Sequence, residues 1–249
     1  MKATLKIGKE LHTVDFSKPL DISITLQDSA QNPRAWYLPK PQITPVKLDN
    51  WVGKVSEGAS VNFNNIKFNP HAHGTHTEGV GHISEEFHSV NKALKEFFFT
   101  AEVITVTPET LGEDQVIPSG QLKGLLKGKK PQAVVIRTVP NTSSKKTKKY
   151  SHTNWPYLHQ NAAKYLRGIG VEHLLIDLPS VDKEKDKGKL AAHKAFWDYP
   201  KNPRFNATIT EFIYVPNKIE DGSYLLNLQV ANFKNDAAPS RPVLYRFIL

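Results

Sequence analysis

From residue 69 to residue 82 the chain reads Asn-Pro-His-Ala-His-Gly-Thr-His-Thr-Glu-Gly-Val-Gly-His, placing four of its ten histidines and one carboxylate within fourteen residues. Imidazole and carboxylate are the ligands of zinc-like and manganese-like ions where thiolate is absent. The chain has no cysteine. A polar loop of solvated histidines is the plain alternative, but so dense a cluster inside the chain favours metal or catalytic chemistry.

Spacing narrows the roles. In an extended strand, residues of equal parity share a face and rise by roughly 6.6 Å per pair. His76 and Glu78 therefore point the same way and can reach one metal. His82 has the same parity, yet six extended residues span roughly 20 Å, too far for that metal. Gly79 and Gly81 permit a bend that returns it, which suits His82 to proton transfer better than to ligation. His71 and His73 have the opposite parity. One of them joins the site only if the chain bulges or turns near Gly74.

Two remote residues add to the cluster. Glu211 lies in Ala-Thr-Ile-Thr-Glu-Phe-Ile-Tyr-Val, where alternation puts Ala207, Ile209, Glu211, Ile213 and Val215 on one apolar face. A carboxylate there needs a compensating cation, either a metal or a lysine or arginine. His193 sits in a helical pattern with Leu190, Phe196 and Trp197, as a core histidine or a ligand. The preceding Ile-Asp-Leu-Pro-Ser-Val-Asp ends a buried strand, the place where α/β proteins hold ligands. Its Asp177 and Asp182 are turn formers or supports for a ligand.

The elements that must position these groups form one mixed α/β domain over residues 1–249. Hydrophobic residues at 39% and aromatics at 10% suffice for a core, so disorder is not expected. Residues 14–16, 21–26 and 61–68 are expected to be extended, the last leading into the histidine cluster. Beyond residue 100 the pattern becomes βα. Strands are expected at 101–107, 133–139, 173–178, 207–215, 224–230 and 242–249. Helices are expected after a Ser119 cap, at 157–167 and at 187–198.

The net charge of +9 raises nucleic-acid binding. The excess lies in lysine runs, Lys127, Lys129 and Lys130, then Lys145, Lys146, Lys148 and Lys149. The second run has no apolar periodicity and is expected to be an exposed loop. No nucleic-acid motif accompanies it, so neither nucleic acid nor membrane is an expected partner. No secretory signal and no membrane span is evident, and the cytoplasm is the expected compartment.

At these residues the chain resembles the metal-dependent cyclase/hydrolase family that includes bacterial kynurenine formamidase and isatin hydrolase. Its signature is approximately His-x-Gly-Thr-His-x-Asp-x-Pro-x-His. Gly74, Thr75, His76 and His82 match, while Glu78 replaces the aspartate and Val80 the proline. Ala72 takes the place of the first histidine, between His71 and His73. The likeness continues through Arg137-Thr138, Asn154-Trp155, the Asp177–Asp182 segment with His193, and the strand bearing Glu211.

The resemblance implies a swivelling β/β/α fold with a mixed sheet, in a homo-oligomer such as a dimer or tetramer. It implies one or two divalent ions, Zn or Mn: a first held by His76, Glu78 and His71 or His73, a second by His193 and Glu211 with Glu78 bridging. His82 would be the general acid/base. The expected reaction is hydrolysis of an amide, formamide or lactone of a small-molecule substrate, for instance N-formylkynurenine to kynurenine and formate. Trp36, Tyr37 and Trp155 either line a pocket for a flat substrate or belong to the core. A non-catalytic binder with a degenerate metal site is the competing expectation.

Overall fold

The computed structural model describes residues 1–248. Its main sheet has ten strands in one path. In chain order they are β1 (Lys2–Ile7), β2 (Glu10–Asp15), β3 (His76–Glu78), β4 (Phe98–Val106) and β5 (Ala133–Thr138), then β6 (His173–Ile176), β7 (Thr208–Glu211), β8 (Gly222–Asn227), β9 (Ala237–Pro239) and β10 (Val243–Ile248). Their spatial order is β1-β2-β10-β8-β4-β5-β6-β7-β3-β9, with the short strand Leu20–Asp21 beside β10. The four central strands β4, β5, β6 and β7 are parallel. Antiparallel strands flank them on both sides.

The parallel strands are covered on both faces, which is why β5 and β6 are buried along their whole length. Helices α2 (Ser119–Leu126), α3 (Gln160–Gly168) and α4 (Ala191–Trp197) cross between them. Leu122, Leu126, Leu166 and Phe196 pack with Val134, Ile136, Leu174 and Ile176 on one face. The intervening Ala133, Val135 and Leu175 join Val103, Leu226, Leu244 and Ile22 on the other. The layering is that of the expected mixed-sheet β/β/α fold.

Several expected elements are shorter, each for a local reason. Residues 157–158 are a strand beside Val116 and Ile117, and the helix starts only after His159, whose Nδ1 accepts the Asn161 N–H. The helix expected over 187–198 begins at Ala191, because Lys187 and Leu190 take left-handed backbone held by Asp186. Ser119 is the first helical residue rather than a side-chain cap. Residues 61–68 supply only Asn64–Lys67, exposed on a separate two-stranded ribbon with Gln42–Pro45. The strand expected at 242–249 ends at Ile248, and Leu249 lies outside the described residues.

The stripe through Glu211 is also broken. β7 stops at Glu211 and Phe212 has φ 55°. Ile209 therefore packs with the helices, whereas Ile213 and Val215 pack on the opposite face. Lys145 departs from the exposed loop expected of it. Its ammonium is sunk against Asp177, 2.7 Å from Oδ2, and also donates to Thr138. Asp177 is thus the partner of a lysine rather than part of the histidine site. Among the described residues no helix is long and apolar enough to cross a membrane.

Candidate metal centre

The site lies where β6 and β7 end and β3 begins, outside the carboxyl ends of parallel strands. β3 runs antiparallel between β7 and β9, with His76 opposite Glu211 and Glu78 opposite Ile209. Its other side is stitched down by Thr77, whose hydroxyl meets that of Thr210 at 2.7 Å. Thr75 donates to the carbonyl of Phe212. His76 and Glu78 consequently point into the same site, as their parity requires, with Nε2 and Oε2 4.0 Å apart.

His71 arrives by a turn. Residues Pro70–His73 form α1, a single helical turn that Pro70 can open because it needs no N–H partner there. The turn puts His71 Nδ1 3.0 Å from Glu78 Oε2. It turns His73 away, where Nδ1 accepts the Asn69 N–H and Nε2 meets the Pro39 carbonyl. Of the two histidines left open by sequence, His71 joins the site and His73 fastens its scaffold.

His193 comes from α4. Its Nε2 is 2.9 Å from Glu78 Oε1 and 3.7 Å from Glu211 Oε1. Its Nδ1 lies 2.6 Å from Asp182 Oδ2, and Asp182 also accepts the Ala192 and His193 N–H groups. Asp182 is therefore a support for His193, not merely a turn former. Glu211 accepts the Val181 N–H with Oε1 and brings Oε2 within 3.4 Å of His76 Nε2.

His82 lies closer than extended spacing allows. A 3-10 turn over Val80–His82 folds it back, leaving Nε2 3.8 Å from Glu78 Oε2. Its ring stacks on that of His71, with centroids 4.2 Å apart. Neither neighbouring glycine uses left-handed backbone for this turn. Gly81 is needed for close approach, since a Cβ there would sit 2.0 Å from the His88 carbonyl oxygen.

The electrostatics are those of a cation site. Burial alone would lower the pKa of His71, but Asp236 and Glu78 outweigh it and push it up to about 10. Burial likewise opposes the charge on His193, yet Asp182 and Glu78 raise its pKa well above the ordinary value. Glu78 is fully buried, which disfavours its charge, and His82, His193 and His71 nevertheless hold it well below the usual carboxylate range. Among the described residues no lysine or arginine forms an ion pair with Glu78 or Glu211. His76 Nε2 is buried without a hydrogen-bond partner, and Glu78 Oε2, though 3.0 Å from His71 Nδ1, is buried without a well-aligned hydrogen bond. Such orphans are costly, and a divalent ion between them would satisfy both. The donor set of imidazoles and carboxylates fits a divalent ion.

A cavity of about 330 Å³ opens above the site, with His71, His82, His193 and Glu211 on its lining. Trp36, Leu38 and Leu190 supply apolar walls. Trp36 stands edge-on to Trp155, at 5.1 Å between centroids. Trp155 is itself buried, donating to the Asp182 carbonyl, and so belongs to the core behind the pocket. Tyr37 is exposed and is not on the lining, though its hydroxyl donates to the lining residue Glu184. Of the three aromatic candidates, the structure brings only Trp36 to the cavity.

One residue escaped sequence reasoning. Asp236 approaches His71 Nε2 at 2.9 Å and His82 Nδ1 at 3.2 Å through one oxygen. It precedes β9 in Asn-Asp-Ala-Ala, where nothing marks it out. Only pairing of β9 with β3 brings it to the histidines.

Residues 15–183 match the family profile named Cyclase. Kynurenine formamidase of Bacillus cereus is 26% identical over 235 residues, covering 93% of this chain and 96% of that protein. Isatin hydrolase A from Ralstonia solanacearum superposes with a TM-score of 0.64 at 17% identity, covering 92% of this chain and 91% of the other. A structure described as a predicted metal-dependent hydrolase from Bacillus stearothermophilus gives a TM-score of 0.63 at 16% identity, covering 92% and 98%. The profile runs from Asp15 to Lys183 and so contains the histidine cluster and Asp182, with His193, Glu211 and Asp236 beyond it; it covers more than half of the chain, and the chain belongs to the cyclase family of hydrolases.

Proposed function

We propose that the chain hydrolyses an amide, formamide or lactone bond of a small flat substrate, using a divalent ion bound by His71, His76 and Glu78. The orphaned pair of His76 Nε2 and Glu78 Oε2, buried in a ring of imidazoles and carboxylates, carries this reading. When bound, Zn or Mn supplies a Lewis acid and lowers the pKa of water from 15.7 to about 7. Glu78 turns Oε2 toward His71 and His76 and Oε1 toward His193. A second ion, beside His193 and Glu211, would share Glu78 as the bridge. The extra methylene of glutamate is accommodated by this two-sided reach.

The chain's own groups then divide the work. Asp182 holds the Nδ1 side of His193 and leaves Nε2 facing Glu78. His82, at the cavity and 30% exposed, can exchange protons with both substrate and solvent. It delivers one to the leaving nitrogen or oxygen, a role that typically contributes about 10²–10⁴-fold. Trp36 and Leu190 flank the cavity and suit a planar ring. The similarity to a kynurenine formamidase makes N-formylkynurenine the first substrate to test, with kynurenine and formate as products. Cyclic amides come next.

The displaced histidine and the Asp-to-Glu change are the grounds for a binding-only protein; the return of His71 by α1 to 3.0 Å from Glu78 supports the hydrolase reading instead. We also propose a cytoplasmic homo-oligomer. Val55, Val61, Phe63 and Ile66 remain exposed in the segment around the outer ribbon, and a second copy would cover them.

Metal analysis and a screen of formamides, cyclic amides and lactones, with Zn and with Mn, test the proposal. Chelator-sensitive turnover is expected, with at least one ion bound per chain. Substantially less than one ion after metal-replete purification, or no turnover of any substrate class, would overturn it.

A further inference from the structure

We propose that Asp236 is a positioning residue, fixing which nitrogen of His71 faces the metal and which nitrogen of His82 carries the proton. The inference rests on the metal-hydrolase reading. An ionised carboxylate only accepts hydrogen bonds. The contacts of Asp236 Oδ2 with His71 Nε2 and His82 Nδ1 therefore require N–H on both nitrogens. An imidazole that binds a metal is neutral and has one N–H, so with an ion bound the lone pair of His71 lies on Nδ1, and a neutral His82 likewise has its own on Nε2. Those two atoms are 3.0 and 3.8 Å from Glu78 Oε2, on the side of the ring where ion and substrate are handled.

The carboxylate is rigidly placed. Asp236 immediately precedes β9, whose Ala237 pairs with Glu78 on β3. The Asp236 carbonyl accepts the Gly79 N–H at 3.1 Å, and the Asn235 carbonyl accepts the Val90 N–H. Asp236 thus moves with the strand that carries Glu78. The other ligand candidates have separate supports. His76 is held through Nδ1 by the Gly74 carbonyl, and His193 by Asp182. Asp236 holds both a ligand and the proton carrier through a single oxygen, on the ring nitrogens turned away from Glu78. Its loss should weaken metal binding and proton transfer together.

Asp236→Ala and the near-isosteric Asp236→Asn test this with zinc as the probe. Affinity is read by chelator competition, and histidine protonation by long-range ¹⁵N–¹H NMR. In the parent, zinc is expected on His71 Nδ1 and the proton on His82 Nδ1. Asp236→Ala should weaken zinc by about 10–100-fold, the usual cost of losing a group that orients a ligand. It should also move the His82 proton to Nε2 and lower kcat more than it raises KM. Asp236→Asn, which keeps one acceptor oxygen, should recover part of each loss. Unchanged zinc affinity with an unchanged His82 proton in Asp236→Ala would overturn the proposal, as would zinc on His71 Nε2 in the parent. If the parent takes up no zinc, the metal-hydrolase reading fails, and the His82 proton position still decides the role of Asp236.

Discussion

His76 and Glu211 are register partners on adjacent antiparallel strands, with Nε2 and Oε2 3.4 Å apart and both side chains almost fully buried. Partners directly across two strands share one face of the sheet. The ladder itself therefore aims these groups at one point. Glu211→Gln keeps the shape and the acceptor for the Val181 N–H but removes the charge. Metal content should fall, and kcat/KM should drop by more than about tenfold. Metal content equal to that of the parent would remove Glu211 from the ligand set.

His76→Ala and His82→Ala should separate ligation from proton transfer. His76→Ala is expected to lose metal. His82→Ala should retain it while kcat falls by about 10²–10⁴-fold. Equal metal loss in the two variants, by elemental analysis, would make His82 a ligand.

Gly81→Ala tests the return of His82 without touching any titratable group. The added methyl meets the His88 carbonyl oxygen at 2.0 Å, so the 3-10 turn has to shift. Overpacking of this kind typically costs about 1–3 kcal/mol. Thermal unfolding should show that loss, and kcat should fall as His82 leaves Glu78. A variant with parent stability and turnover would show that the turn is not constrained there.

Trp36→Ala should raise KM for an aromatic substrate more than it lowers kcat. Trp36 lines the cavity yet touches none of the reacting groups, and its edge-on contact with Trp155 holds the wall in place. Edge-to-face pairs contribute about 0.5–1.5 kcal/mol beyond burial, so a KM change of roughly two- to tenfold is expected. Steady-state kinetics with equal KM for parent and variant would take Trp36 out of substrate binding.

Away from the site, His173 should impose an acid-side stability slope. Burial, assisted by Arg204, lowers its pKa from 6.5 to about 4. As pH falls, the unfolded chain takes up the proton first. Native stability should therefore decline from about pH 6.5 to about pH 4 and gain nothing from this group above that window. The upper limit is roughly 3 kcal/mol. His173→Phe should flatten that part of the denaturation profile relative to the parent. Parallel profiles for the two proteins would contradict the assignment.

Much of the site was legible because strand parity is a strict rule. Parity paired His76 with Glu78, and a carboxylate among β-branched residues marked Glu211. The choice between His71 and His73 was not legible. It depends on one helical turn whose existence is decided by tertiary contacts, including Ala35 N–H to the Ala72 carbonyl. Asp236 left no signal at all, since its meaning lies in a partner 165 residues away. Lys145 looked solvated because sequence does not show that Asp177 is buried beneath it. The left-handed Phe212 similarly hides in a run that alternates well on paper.

The insertion of β3 between β7 and β9 gathers donors from the first third of the chain and from its last sixty residues around one point. A cation seated there acts as a reversible cross-link in a chain that has no cysteine to make a permanent one. Its effect on folding follows mass action, about 4 kcal/mol when the free ion is a thousandfold above its dissociation constant. Fold durability in this protein would then depend in part on metal supply, through the same atoms proposed to perform the chemistry.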